Sequence, residues 1–294
     1  MGKSDYSIED LYKAIITING YFFENNYGKL IVKTNFGSIH DYCYYGNKSK
    51  NGNCNGYFEL TSSGVIHLLK ELKGISGLEY EQLAEYAILW LSYKLNISQK
   101  TKDTKLNDFY TKYIETNKYY NNKINGSDGP TYKDIINTKK DLMNTNDLYY
   151  LNHPFSLLCN LYKMINGQKQ LCNFYLDYAN KFADSFKKRN ELSNNIEGSS
   201  YNKILSTLSD DYKNIKKTCK DFPSLPELTP KKAPVEKSGQ PTALSSEGTS
   251  SSSSISTALI PGLSAFSVIP VFLGIAYKTI FKNKIKKSKE ENET

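Results

Sequence analysis

Five cysteines carry the most readable chemistry in this chain: Cys43, Cys54, Cys159, Cys172 and Cys219. They form no CxxC pair and no mixed Cys/His run, so the spacing does not point to a zinc site. Cys43 and Cys54 flank a Gly/Asn-rich stretch with little else to order it. A bridge there would restrict the loop and stabilise the fold by roughly 2–3 kcal/mol on the chain-entropy account. Cys159 and Cys172 stand on either side of the Asn166–Gly167 turn, seven residues before it and five after. In an antiparallel helix pair those positions come level, and a second bridge is geometrically allowed. Cys219 is then the expected unpaired thiol. The competing reading is five reduced, buried thiols in a cytosolic protein.

Other reactive types are dispersed. His40, His67 and His153 lack metal-ligand spacing and read as surface or satisfied core histidines. There is no Walker loop, HExxH, nucleophile elbow or GxGxxG fingerprint. GNCNG at 52–56 has close glycines but no strand–helix context for a phosphate cradle. The expectation is no catalytic, cofactor or metal site, and a protein that is not an enzyme. The Tyr pairs at 44–45, 119–120 and 149–150 would suit a binding face, although core packing explains them equally well. Asn47, Asn96 and Asn125 satisfy the N-x-Ser/Thr sequon.

The net charge is +8, from 38 Lys and Arg against 30 Asp and Glu, yet Arg189 is the only arginine. Selected phosphate contacts favour the bidentate arginine fork, and part of the excess lies in a terminal cluster, so nucleic acid is not an expected partner. The abundance of Lys, Asn, Tyr and Ile matches A/T-rich coding more simply than selection for chemistry.

Helices must position the cysteines. Ser7 followed by Asp10 resembles a capping box, and Ile8, Leu11, Tyr12, Ile15 and Ile18 then recur at helical spacing. Residues 26–58 read as irregular loop. A helix resumes near Thr61, with Val65, Ile66, Leu68, Leu69 and Leu72 on one side. Residues 78–95 are the most apolar of the soluble part and read as the central core helix, holding the single tryptophan, Trp90. Further helices are expected at about 105–121, 131–144, 147–165, 168–194 and 199–220, separated by turn chemistry. The predicted fold class is all-α: an irregular multi-helix bundle over residues 1–222. The exposed connections 46–56, 121–130 and 190–200 are candidate recognition loops.

Composition changes at Pro223. Five of nine prolines lie between Pro223 and Pro241, followed by a serine run, and residues 223–254 read as a disordered Pro/Ser-rich linker. Residues 255–277 carry no charge and are long enough for a ~30 Å hydrocarbon core, which predicts a single transmembrane helix. Lys278, Lys282, Lys284, Lys286, Lys287 and Lys289 follow at once, ahead of three glutamates, in the tail 278–294. The positive-inside tendency puts that tail in the cytoplasm, with the bilayer as a partner. The opening MGKSDYSIED lacks the layout of a secretory signal, so the span itself is expected to direct insertion. A tail-anchored scaffold or adaptor with its helical domain in the cytosol is the alternative plan.

Several blocks in order resemble the Plasmodium interspersed repeat (PIR) variant proteins, in particular their rodent-malaria branches. They are EYAILWLSYKLN at 85–96, LNDFYTKYIETNKYY at 106–120, YKDIINTKKDLM at 132–143 and SSYNKILSTLSDDYKNIKKTCKDFPSLP at 199–226, with the Ser-rich linker and the LIP…FLGIAYK anchor. The resemblance covers most of the chain from about residue 40. It implies a membrane-anchored variant antigen of a malaria parasite, exported to the infected red cell or parasite surface, engaged in host interaction, antigenic variation and immune evasion. It also implies a host-cell receptor or antibody as partner, and export without an obvious signal peptide. Family members often carry one cysteine ahead of the first helix and another near the start of SSGVIHLLKEL. Both are absent here, so family pairing is not transferred, and Cys219 is the thiol such a loss would orphan.

Overall fold

Ser7 opens the first helix as its spacing predicts: its Oγ accepts the Asp10 amide hydrogen at 3.2 Å, which satisfies one of the free donors of helix α1, Ile8–Asn19. In the computed structural model, residues 6–24, 30–32, 37–44, 54, 56–97, 101, 103–144 and 147–232 are described, all within the unit Met1–Glu236. The linker from 233 onward, the predicted span and the six tail lysines lie outside the described residues, as do most of the loop 46–56 and the sequon at Asn47. Among the described residues no helix is long and apolar enough to cross a membrane.

The α1 stripe is buried where the periodicity puts it: Ile8, Leu11, Tyr12, Ile15 and Ile18. It packs on helix α2, Tyr57–Lys73, and on helix α6, Leu148–Ile165. Helix α3, Tyr80–Leu95, begins at a capping box made by Glu79 and Gln82 and is buried from Tyr86 onward apart from the partly buried Tyr93. It sits between α2, α6 and the short helix α5, Tyr132–Asn137. Helix α7, Leu176–Asn190, lies along α6, and helix α8, Ser200–Thr218, packs on both.

The described region is helical in the main but not wholly so. Strands β1, Phe22–Glu24, and β2, Leu30–Val32, pair antiparallel with Phe22 opposite Val32; β2 falls within what reads in sequence as loop, and β1 just ahead of it. Strands β3, Lys123–Asn125, and β4, Asp128–Thr131, form a second hairpin, turned by Gly126 at φ 77°. The expected helix 105–121 is broken into α4, Leu106–Phe109, a π-turn Tyr110–Ile114 and a 3₁₀ segment Lys118–Asn121. Asn117 accounts for the break: its side chain accepts the Tyr119 amide hydrogen at 3.1 Å and donates to the Tyr42 carbonyl at 2.7 Å, offering the backbone an alternative to the helix. The expected helix 131–144 is α5 followed by a 3₁₀ turn, Lys140–Met143. The expected helix 168–194 begins with a 3₁₀ run, Lys169–Tyr175, before α7.

Pro154 lies inside α6. Having no N–H, it leaves the Tyr150 carbonyl without its usual i+4 donor. The single arginine supplies the replacement: Arg189 Nε donates to that oxygen at 2.6 Å, which also ties α7 to α6.

The chain past Pro223 stays against the helices. Tyr212 donates to the Pro223 carbonyl, Asn190 Nδ2 to the Glu227 carbonyl and the Thr229 amide to Asn190 Oδ1. Lys231 exchanges backbone bonds with Asn195 and Glu197. A strap over residues 223–232 thus packs on the unit that the composition change would end at 222, because Asn190 and Asn195 satisfy its backbone.

Candidate binding surface and its supporting cysteines

The structure joins Cys43 to Cys54, Cα atoms 5.1 Å apart, across an 11-residue separation. The second bridge differs from the predicted one. Cys172 pairs with Cys219, Cα atoms 5.3 Å apart, and Cys159 is the free thiol. The antiparallel-pair geometry requires a helix directly after Gly167. The 3₁₀ run Lys169–Tyr175 takes that place and turns Cys172 toward the end of α8. Cys159 instead faces the core, where burial raises its pKa well above the usual thiol value. His40, Cys43 and Cys54 come within 4.8 Å of one another, a cluster the sequence does not reveal. The two sulfurs are bonded to each other, so no thiolate remains there to hold a metal.

An aromatic cluster surrounds the first bridge. Tyr42 meets His67, Tyr119 and Tyr132, and Lys118 Nζ lies 3.9 Å from the Tyr44 ring centre. The tyrosine pairs divide between core and surface: Tyr120 is fully buried, whereas Tyr149 and Tyr150 are 60% and 42% exposed. The loop 121–130 is the exposed β3–β4 hairpin, with its sequon residue Asn125 on the surface. Asn96 is different: its Nδ2 donates to the Ser92 carbonyl at 2.7 Å as the α3 cap. The loop 190–200 is only partly a surface feature, since Asn190 and Asn195 are buried beneath the strap.

Two ionisable groups lie deeper than the sequence suggests. Asp211 is 4% exposed and accepts hydrogen bonds from Tyr12 at 2.7 Å and Tyr86 at 3.0 Å; Tyr162, stacked on Tyr12 at 4.1 Å, donates to its backbone carbonyl. Burial pushes the carboxyl up to about 7 despite those two hydrogen bonds. Its spacing from Ile204, Leu208 and Ile215 marks the buried face of α8, a legible signal. Lys94, in the last turn of α3, is 1% exposed. Its ammonium sits over Tyr93, Phe22 and Trp90 at 5.1, 5.3 and 5.9 Å, and desolvation lowers its pKa to about 8. The Trp90-to-Lys94 spacing of one helical turn was the sign available in sequence. His153 Nδ1 lies 3.0 Å from Ser185 Oγ, but burial, and then the charges of Arg189 and Lys188, lower the pKa of the ring. In a Ser-His-Asp triad a carboxylate orients and charges the imidazole, whereas here two cations face it.

The family model described as Plasmodium variant antigen protein Cir/Yir/Bir matches residues 12–278. The chain belongs to this variant antigen family. The match extends from α1 past the strap and through the apolar run to Lys278, and is to the family as a whole. Among solved structures, the chain is similar to one titled "Structure of a Plasmodium PIR protein ectodomain", at 31% identity and a TM-score of 0.55. The alignment covers 76% of this chain and all of that one. No curated protein sequence matches the chain. In this variant antigen the two bridges brace a mainly helical frame from which the β3–β4 hairpin is exposed.

Proposed function

We propose that the chain is a membrane-anchored variant antigen that displays its helical domain on the far side of the membrane from the lysine tail, on the infected red cell or the parasite surface. There it binds a host receptor or draws antibody, work done by surface contacts rather than catalysis. The observation that carries this reading is the pair of bridges, Cys43–Cys54 and Cys172–Cys219, on a fold similar to a solved PIR ectodomain. Such bridges persist in oxidising surroundings, and Lys278, Lys282, Lys284, Lys286, Lys287 and Lys289 favour a cytoplasmic tail.

The test is protease protection of the chain tagged at both ends, in intact and selectively permeabilised infected cells. Cleavage of the helical domain from outside, with the tail tag protected, supports display. Cleavage only after the host membrane is opened, with all five cysteines alkylatable, would overturn it in favour of an internal scaffold.

A further inference from the structure

Beside the Lys94 ammonium lies a cleft of about 480 Å³, walled by α1, β1, α3 and α6. Its lining is one-sided in charge among the described residues: Lys94 and Lys163 contribute to it and no Asp or Glu does. Ile16, Phe22 and Ile97 give it an apolar wall. Asn19 stands at its edge with Oδ1 taken by the Trp90 indole N–H at 2.8 Å, and its Nδ2 makes no hydrogen bond among the described residues.

The ammonium of Lys94 is the unusual part. Among the described residues no carboxylate or hydrogen bond meets it; its neighbours are three aromatic faces and the buried Cys159 thiol, which also lines the cleft. A buried ammonium is ordinarily paired, and ring faces replace only part of its lost hydration. Methionine would fill the same volume without that cost. The rings hold the charge in place and leave its donors without a hydrogen bond among the described residues, beside the cleft that Lys94 helps to line. We propose that this cleft binds a small amphipathic monocarboxylate, its carboxylate paired with Lys94 Nζ and its apolar chain lying along Ile16, Phe22 and Ile97. Lys163, exposed at the rim, adds long-range attraction, and the Asn19 amide is placed to donate to the second carboxylate oxygen. The volume is within the ordinary range for small-ligand sites.

The segment 1–236 closes its own core, and the related ectodomain is a solved structure in its own right, so the test uses that segment without lipid or detergent to compete for the probe. Octanoate is titrated against the fluorescence of Trp90, the single tryptophan, beside octan-1-ol and octylammonium. The expected result is saturable binding of octanoate, with Kd on the order of 0.1–1 mM, and at least about tenfold weaker binding of both controls. Lys94→Met is expected to weaken octanoate about tenfold or more while keeping or raising the melting temperature, since it removes a buried charge. Lys163→Gln, at an exposed position, is expected to weaken it a few-fold. Lack of saturation by about 10 mM, equal binding of octan-1-ol, or unchanged affinity in folded Lys94→Met would overturn the proposal. Should Lys94→Met fail to fold, the octan-1-ol comparison and Lys163→Gln decide the matter alone.

Discussion

Asp211 is a single residue whose protonation is built into the core. Tyr12 from α1, Tyr86 from α3 and Tyr162 from α6 surround it, and the charge of Asp210 also reaches it. Its folded pKa of about 7 lies above the ordinary carboxyl value of 3.8, so the folded chain holds a proton that the unfolded chain releases. Its contribution is therefore full below about pH 4 and is lost as pH rises to about 7, where both states are ionised. We expect wild-type stability, relative to Asp211→Asn, to fall across that window by an amount on the order of a few kcal/mol, with no further change above about pH 8. Denaturant unfolding at pH 4.5, 6 and 8 checks it, and a flat difference between the two proteins would refute the buried-carboxyl account. Arg189 gives a second prediction at this scale. Its bond to the Tyr150 carbonyl matters because Pro154 offers that oxygen no hydrogen. Arg189→Met should cost about 1 kcal/mol, and much less in a Pro154→Ala background where the helix bond is restored. A double-mutant cycle with no coupling between the two sites would show that the pairing carries no energy.

At the scale of elements, the crossing of α2 with α3 depends on a position without a side chain. A Cβ on Gly64 would lie 2.8 Å from the Trp90 ring and 3.3 Å from Phe22. Trp90, the ring such a Cβ would meet first, is fully buried and meets Phe22 edge to face at 5.7 Å, so it gives way only by displacing its neighbours. Alanine would gain about 1 kcal/mol of helix propensity and lose about 1–3 kcal/mol to overpacking. We expect Gly64→Ala to be destabilising by about 1–2 kcal/mol, with a shift in Trp90 emission; a more stable variant with unchanged emission would mean that α2 and α3 part without cost. What the sequence discloses at this scale divides by mechanism. The stripes of α1 and α2, the apolar α3 and the Asn166–Gly167 turn were legible because local periodicity and backbone preference set them; Asn166 takes the left-handed conformation at φ 42°. The β1–β2 hairpin was not, because its strands are three residues long and are held by pairing rather than alternation. Neither was the splitting of the helices at Asn117 and Thr138, where side chains bond backbone groups that a helix would otherwise use.

For the whole molecule, the cysteine pairing decides how the C-terminal end of the described unit is held. A sequence can say that Cys159 and Cys172 flank a turn, but which way Cys172 points depends on the rotation of the 3₁₀ run between two helices, and no local pattern fixes that. The Cys172–Cys219 bridge joins the α6–α7 connection to the end of α8, across a separation of 47 residues, where the strap begins. Closing a loop of that length stabilises a fold by roughly 4 kcal/mol on the chain-entropy account. Cys219→Ser should therefore lower stability by about 2–4 kcal/mol and loosen the strap, raising hydrogen exchange at the Thr229 and Lys231 amides, which Asn190 and Asn195 accept. Cys159→Ala removes only a buried thiol and should cost about 1–2 kcal/mol, from the small cavity it leaves, without touching those amides. The two variants separate the pairings cleanly. If Cys159 were the partner of Cys172, the larger loss would move to Cys159→Ala, and Cys219→Ser would leave the strap protected.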